Sequence, residues 1–112
     1  LVRLNCANCA QQTPISSSTL SLLKPGRTDL ASQHRGLGCT KCLQSGYQGR
    51  QGIFELMPVT ETICSMIIQK ASAEELRREI RSKGHKDMFE HGLDLVAQGK
   101  TTLEEVVRVT RF

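Results

Sequence analysis

Tryptophan is absent from this 112-residue sequence, and one tyrosine and three phenylalanines are its only aromatics. Aliphatic side chains must therefore build the core, and a core this thin calls for a staple. No apolar run approaches the ~18 residues that a membrane-spanning helix needs, and no secretory leader is visible. Serines, histidines and acids are present, but no spacing sets a nucleophile beside its base. A complete phosphate-binding loop is missing too. Gly99-Lys100-Thr101 resembles the end of one, but the glycine required five positions earlier is Asp94, and a helical pattern precedes it instead of a strand. Gly49-Arg50-Gln51-Gly52 resembles the backbone-clamping loop of a KH domain, yet it leads into a strand pattern instead of joining two helices. The chain opens on Leu1 without a methionine, which reads as a piece of a longer protein.

A concentrated excess of one charge is missing as well. The formal net charge is +4, but the Lys and Arg are scattered and interleaved with Glu. Four thiolates around one Zn²⁺ would carry −2 and lower the total from +4 to +2. No nucleic acid is expected. A zinc-ribbon nucleic-acid-binding or adaptor module is the alternative reading, and it requires binding that weakens steeply with salt.

Cysteine is what the chain does have: five residues, four of them in two Cys-x-x-Cys turns, Cys6/Cys9 and Cys39/Cys42. An odd count and no sign of export favour metal ligation over disulfides. Two such turns complete a tetrahedron of soft ligands with Zn–S near ~2.3 Å and leave no open position, so the expected zinc is structural. Thioredoxin-type redox chemistry needs one pair in a βαβ setting, which is missing. A chaperone-type zinc domain needs repeated Cys-x-x-Cys-x-Gly-x-Gly, whereas here the glycine after Cys42 comes two positions late and only once. His34 lies near Cys39, but four cysteines already suffice. The fifth cysteine, Cys64, sits in an apolar helical run and reads as a small buried hydrophobe. His85 and His91 read as surface histidines.

Along the chain, Leu1–Leu4 is strand-compatible and delivers Cys6. Residues 11–36 read as a long polar loop tied at both ends by thiols, with a helical turn near Ser18 stopped by Pro25-Gly26. Cys39–Gly52 is turn-rich, and Gln51–Met57 is the best strand candidate, ended by Pro58. Four short helices follow. Thr60 caps the first, which runs to about Ala71 and faces the core with Ile63, Met66 and Ile67. Ser72-Ala73-Glu74-Glu75 is a capping box opening the second, which buries Ala73, Leu76 and Ile80 and stops at Gly84. The third opens at Asp87 and carries Phe89, Leu93, Val96 and Ala97 at helical spacing. Thr101-Thr102-Leu103-Glu104 is another capping box, before the stripe Leu103, Val106, Val107 and Thr110. Gly92, inside a helix, costs about 1 kcal/mol relative to Ala and implies a close neighbour. The expected fold class is α+β: a tetracysteine zinc-binding subdomain with a short β-hairpin over residues 1–57, then a small bundle of about four short helices over 58–112.

Leu1-Val2-Arg3 before Cys6-x-x-Cys9, then Gly38-Cys39-x-x-Cys42-x-x-x-Gly46-Tyr47-x-Gly49-Arg50-x-Gly52-Ile53-x-Glu55, resemble the C-terminal part of the type II secretion and type IV pilus assembly ATPases. Gly92 and Thr101-Thr102-Leu103-Glu104-Glu105-Val106-x-Arg108-Val109-Thr110 extend the resemblance over nearly the whole chain, apart from residues 11–36. Asn5 between Leu4 and Cys6, and Gly84-His85-Lys86-Asp87-Met88 in place of a Gly-Met run, depart from the family pattern. The resemblance implies Cys6, Cys9, Cys39 and Cys42 as zinc ligands of an accessory subdomain. It also implies a parent ATPase domain in cis that uses ATP and Mg²⁺, a hexameric ring, and a cytoplasmic site beneath the inner membrane reached through secretion or pilus assembly proteins. Arg50 is a candidate inter-subunit or partner contact. The plainer expectation for Arg50 is a turn arginine paired with Glu55 or facing solvent.

Overall fold

A strand persists only where a partner backbone takes up its hydrogen bonds, and this decides where the strands of this chain lie. The computed structural model describes all residues except 24–26, 28, 111 and 112. β1 (Val2–Asn5) pairs antiparallel with β4 (Tyr47–Gln51), in the register Val2↔Gln51, Arg3↔Arg50 and Asn5↔Tyr47, with an irregularity between Arg3 and Asn5. The strand expected over Gln51–Met57 is therefore displaced. Val2↔Gln51 is the last pair of the ladder, and residues 52–60 run without regular structure. Ile53 alone of that stretch is buried, and the Phe54 N–H turns to His91 Nδ1 at 3.0 Å.

The polar segment expected as a loop is a ribbon. β2 (Ala10–Pro14) pairs with β3 (Ser32–Gly36) from Ala10↔Gly36 to Pro14↔Ser32. Neither strand alternates apolar and polar residues, and Gln33 is their only buried side chain among the described residues. Between them lies α1 (Ser17–Leu20), where Ser16 Oγ accepts from the Thr19 N–H. The stop expected at Pro25-Gly26 falls outside the described residues.

Four helices follow, each announced by local chemistry. α2 (Glu61–Ile68) is capped by Thr60 and ends three residues short of Ala71. α3 (Ala73–Ser82) opens with the reciprocal Ser72–Glu75 bonds at 3.2 and 2.7 Å and gives way to Gly84 at φ +79. Its expected core face is only half covered: Leu76 and Ile80 are half-buried and Ala73 is exposed. α4 (Met88–Ala97) opens with the same reciprocity between Asp87 and Glu90. It buries Phe89, Leu93 and Val96 as expected, together with Leu95, while Ala97 faces solvent. At Gly92 a Cβ would collide with the Val106 side chain of the next helix, α5 (Leu103–Thr110). In place of the expected Thr101–Glu104 capping box, a single side-chain cap forms one residue on, and the Glu105 carboxylate goes to Arg3 and Arg108 instead of closing a box. Thr102 Oγ1 accepts from the Glu105 N–H at 3.3 Å, whereas the Thr101 hydroxyl donates to the Arg3 carbonyl at 2.7 Å.

One core joins both halves of the chain. Val2, Ile15, Leu30 and Ile53 pack with Phe89, Leu93, Leu95, Val96, Leu103 and Val106. β1 is bound to the α4–α5 connection through the Asn5 N–H to the Lys100 carbonyl at 2.8 Å. The architecture is mixed α/β: two two-stranded antiparallel sheets, helices, and a cluster of four cysteines at the sheets' common end.

Candidate metal centre

Each Cys-x-x-Cys segment is a tight turn at the end of a strand pair. Cys6–Cys9 links β1 to β2, with the Cys9 and Ala10 N–H groups folding back onto the Cys6 carbonyl at 3.2 and 2.9 Å. Cys39–Cys42 lies between β3 and β4, in a loop whose backbone takes positive φ at Gly38, Leu43, Gln44 and Gly46. Glycine accepts such angles without a Cβ clash, so two of the four cost little. Gly36 and Gly46 hold the two turns together. A Cβ on either would strike the other's carbonyl oxygen, and the Gly46 carbonyl also accepts the Cys6 N–H at 2.9 Å.

The result is four sulfurs facing one point. Sγ–Sγ separations are 3.8 Å for Cys6–Cys39, 3.8 Å for Cys9–Cys42 and 3.6 Å for Cys39–Cys42, and all four sulfurs lie within 4.8 Å of one another. A tetrahedron with its corners ~2.3 Å from a central ion has edges of about 3.8 Å, so the donor set fits a single Zn²⁺-sized ion. A disulfide needs sulfurs about 2.05 Å apart, and all five cysteines are free thiols.

The surroundings favour thiolates. Backbone N–H groups point at sulfur from Gly38 to Cys9, from Cys39 to Cys42 and from Gly46 to Cys42, each at 3.3 Å. A bond from the Asn8 side chain, with the neighbouring thiols, brings Cys39 down to about 6. Burial opposes ionisation at Cys42, but the Cys39 and Gly46 N–H groups keep it below the ordinary thiol value. Burial raises Cys9 to about 11, against the Gly38 N–H, which pulls it down.

The other residues singled out from the sequence lie elsewhere. His34 is not part of the cluster, and its ring fills the space beside Gly99. Cys64 is exposed on α2, not buried as expected, because only the Ile63 side of that apolar run packs inward. His91 accepts the Phe54 N–H, and His85 lines a cleft with Arg77, Arg81 and Asp87. Arg50 stands opposite Arg3 across the β1–β4 pair and shares an open cavity with Arg3 and Arg108. Among the described residues it has no ion pair with Glu55 or any other acid.

Glu105, quoted in the sequence only as part of the Thr101–Thr110 motif, has a structural role that the motif does not announce. It is 2% exposed, yet its carboxylate accepts the Arg3 N–H, the Arg3 guanidinium and two Arg108 N–H groups at 2.8–2.9 Å. Those bonds, Arg108's foremost, hold it well below the usual carboxylate range. The Arg3 guanidinium also stacks on Tyr47, 4.2 Å from the ring centre. The i,i+3 spacing of Glu105 and Arg108 was readable, but the link to Arg3 was not.

Comparison with known proteins matches residues 1–108 to the family described as type II/IV secretion system protein. The type II secretion system protein E of Pseudomonas aeruginosa is 36% identical over 111 residues, covering 99% of this chain and 22% of the relative. The type II secretion system ATPase E of Vibrio cholerae is 34% identical over 111 residues, with coverage of 99% and 22%. The type IV pilus assembly ATPase PilB of Thermus thermophilus is 38% identical over 112 residues, 98% of this chain and 13% of the relative. The chain thus spans about a fifth of the length of these secretion relatives, and less of the pilus one.

Proposed function

The chain belongs to the type II/IV secretion system protein family, and from that premise we propose that it is the zinc-bearing accessory module of a motor ATPase for type II secretion or type IV pilus assembly. The observation that carries the zinc assignment is the set of four sulfurs 3.6–3.8 Å apart along three measured edges, with three backbone N–H groups aimed at them. Cys6, Cys9, Cys39 and Cys42 are the ligands. Bound zinc supplies a fourfold thiolate cross-link with no open coordination position, which is a structural role. What these residues do is tie the β1–β2 turn to the loop before β4, and so hold β1 against α5.

In this reading residues 1–57 form the zinc-binding subdomain and 58–112 the helical one, and neither is the catalytic part. ATP and Mg²⁺ act in the parent's nucleotide-binding domain, within a hexameric ring at the cytoplasmic face of the inner membrane that meets membrane-embedded secretion or pilus proteins. Arg50 is the contact residue on the ring- or partner-facing surface. Arg3 and Arg108 share the single carboxylate of Glu105, whereas Arg50 has no ion-pair partner among the described residues, so it is free to meet an acidic group on a neighbour.

Metal analysis of the purified chain tests the centre, with one zinc per chain expected. A Cys→Ser change at any of the four ligands should abolish it, and His34→Ala should leave it intact. Full zinc retention in Cys39→Ser would overturn the ligand set. The module assignment is tested on the longest open reading frame containing this chain, which should encode Gly-x-x-x-x-Gly-Lys-Ser/Thr after a strand pattern.

A further inference from the structure

Four thiolates around one Zn²⁺ carry a net −2, and N–H groups aimed at the sulfurs offset that charge. The supply is uneven over the four. Cys9 receives the Gly38 N–H, and Cys42 receives those of Cys39 and Gly46, each at 3.3 Å. Cys39 receives a side-chain bond from Asn8 and the Cys42 N–H. Cys6 is the exception. Its sulfur is 0% exposed, and among the described residues no N–H reaches it.

What stands against the Cys6 sulfur is the carboxamide of Gln48 on β4. In the metal-free thiol the Cys6 S–H is the donor and Gln48 Oε1 the acceptor, 3.8 Å away. A thiolate ligand has no proton to give, so the same arrangement would set a carbonyl oxygen against a negative sulfur. A carboxamide carries its remedy on the other branch, since Nε2 has two N–H donors in nearly the same shape. The last torsion of a glutamine is broad and roughly two-fold, so a half-turn exchanges the two atoms at little cost. Gln48 is exposed, and its Nε2 has no other partner among the described residues, so nothing holds the amide in its present sense.

We propose that Gln48 is a positioning residue of the metal centre: when the metal binds, its carboxamide turns over and Nε2 donates to the Cys6 thiolate. The proposal rests on the reading of the four cysteines as zinc ligands. It gives the one sulfur without an N–H the donor it lacks. It also ties β4 to the first Cys-x-x-Cys turn at the place where the Cys6 N–H already meets the Gly46 carbonyl. Supporting groups of this kind are worth about 10–100-fold in metal affinity.

Two substitutions separate the donor from the shape. Gln48→Glu keeps the shape but can only accept, and Gln48→Met keeps the length with neither donor nor charge. In competition with a chromophoric chelator, Gln48→Met should hold zinc about tenfold more weakly than wild type, and Gln48→Glu more weakly still. A third measurement needs no substitution. Wild type loaded with a spin-active isotope of Cd²⁺ in place of zinc should show scalar coupling from the metal to the Gln48 side-chain amide protons, as well as to the backbone N–H groups of Gly38, Cys39 and Gly46. Coupling to those three but not to Gln48 would overturn the proposal. Wild-type affinity in both variants, or a loss in Gln48→Glu alone, which is bare charge repulsion, would overturn it as well and leave the ligand set standing. A wild-type chain that takes up no zinc overturns the zinc reading and this proposal with it.

Discussion

Arg3 and Glu105, 102 positions apart, are joined twice: the Arg3 N–H donates to Oε2 at 2.8 Å and its guanidinium to Oε1 at 2.9 Å. The bond pair fastens the chain's first strand to its last helix, immediately beside the turn that carries Cys6 and Cys9.

That linkage gives stability a defined pH dependence. Glu105 titrates below its unfolded value, so its contribution is fully present above about pH 4.3 and is lost as pH falls through the lower folded value. Urea unfolding should therefore show wild type losing stability below about pH 4 more steeply than Glu105→Gln, which should itself be weaker at pH 7 by about 1–3 kcal/mol. Arg3 and Arg108 are both about half exposed at the side chain, which keeps the effect toward the lower end. Thiolate protonation is common to both proteins, so the difference between them isolates Glu105. Identical pH profiles would remove the argument.

Gly92→Ala should destabilise even though alanine is the better helix former. The helix gains about 1 kcal/mol, but the new methyl meets Val106 and overpacking costs about 1–3 kcal/mol. A double-mutant cycle with Val106→Ala should show coupling of at least about 0.5 kcal/mol, read from denaturant midpoints.

Gly36→Ala should damage the metal centre without touching a ligand. Its Cβ collides with the Gly46 backbone, which cannot swing aside as a flexible side chain would. Zinc affinity, measured by competition with a chromophoric chelator, should fall about 10–100-fold, as when other supporting groups of a metal site are lost. Gly84→Ala is the control. It has nothing within 4 Å, only a φ of +79, so it should cost about 1 kcal/mol of stability and leave zinc affinity alone.

Removing the metal should loosen residues 1–57 first. Unfolded thiols bind zinc poorly, so the site contributes its binding energy to folding. Hydrogen exchange after chelation should accelerate most at the N–H groups of Gly38, Cys39 and Gly46, while those within α4 change least. Unchanged exchange across 1–57 would refute a structural role for the centre.

The features legible in the sequence are those whose causes lie a few residues apart. Thr60, Ser72–Glu75 and Asp87 announce their helices because a cap and its recipient N–H are three positions apart. The two Cys-x-x-Cys turns announce paired thiols for the same reason, and the four cluster. Gly92 signals a close neighbour, and Val106 supplies it. The readings that missed share the opposite property. β2 and β3 are polar on both faces, so no alternation marks them, and they exist because each is the other's hydrogen-bond partner. Cys64 sits in a run of apolar residues that would suit a helix buried all round, but α2 has only one covered side.

The sequence by itself thus determined the type and order of the helices, the identity of the four clustered thiols and the family, because capping, turn chemistry and ligand spacing are local. Tertiary structure alone decided which strands pair, that Thr101 serves Arg3 while Thr102 caps α5, that Glu105 is a buried clasp, and that α2 buries only Ile63. Each of those depends on a partner tens of residues away, and a hydrogen bond or a packed methyl is specified only once both sides are in place.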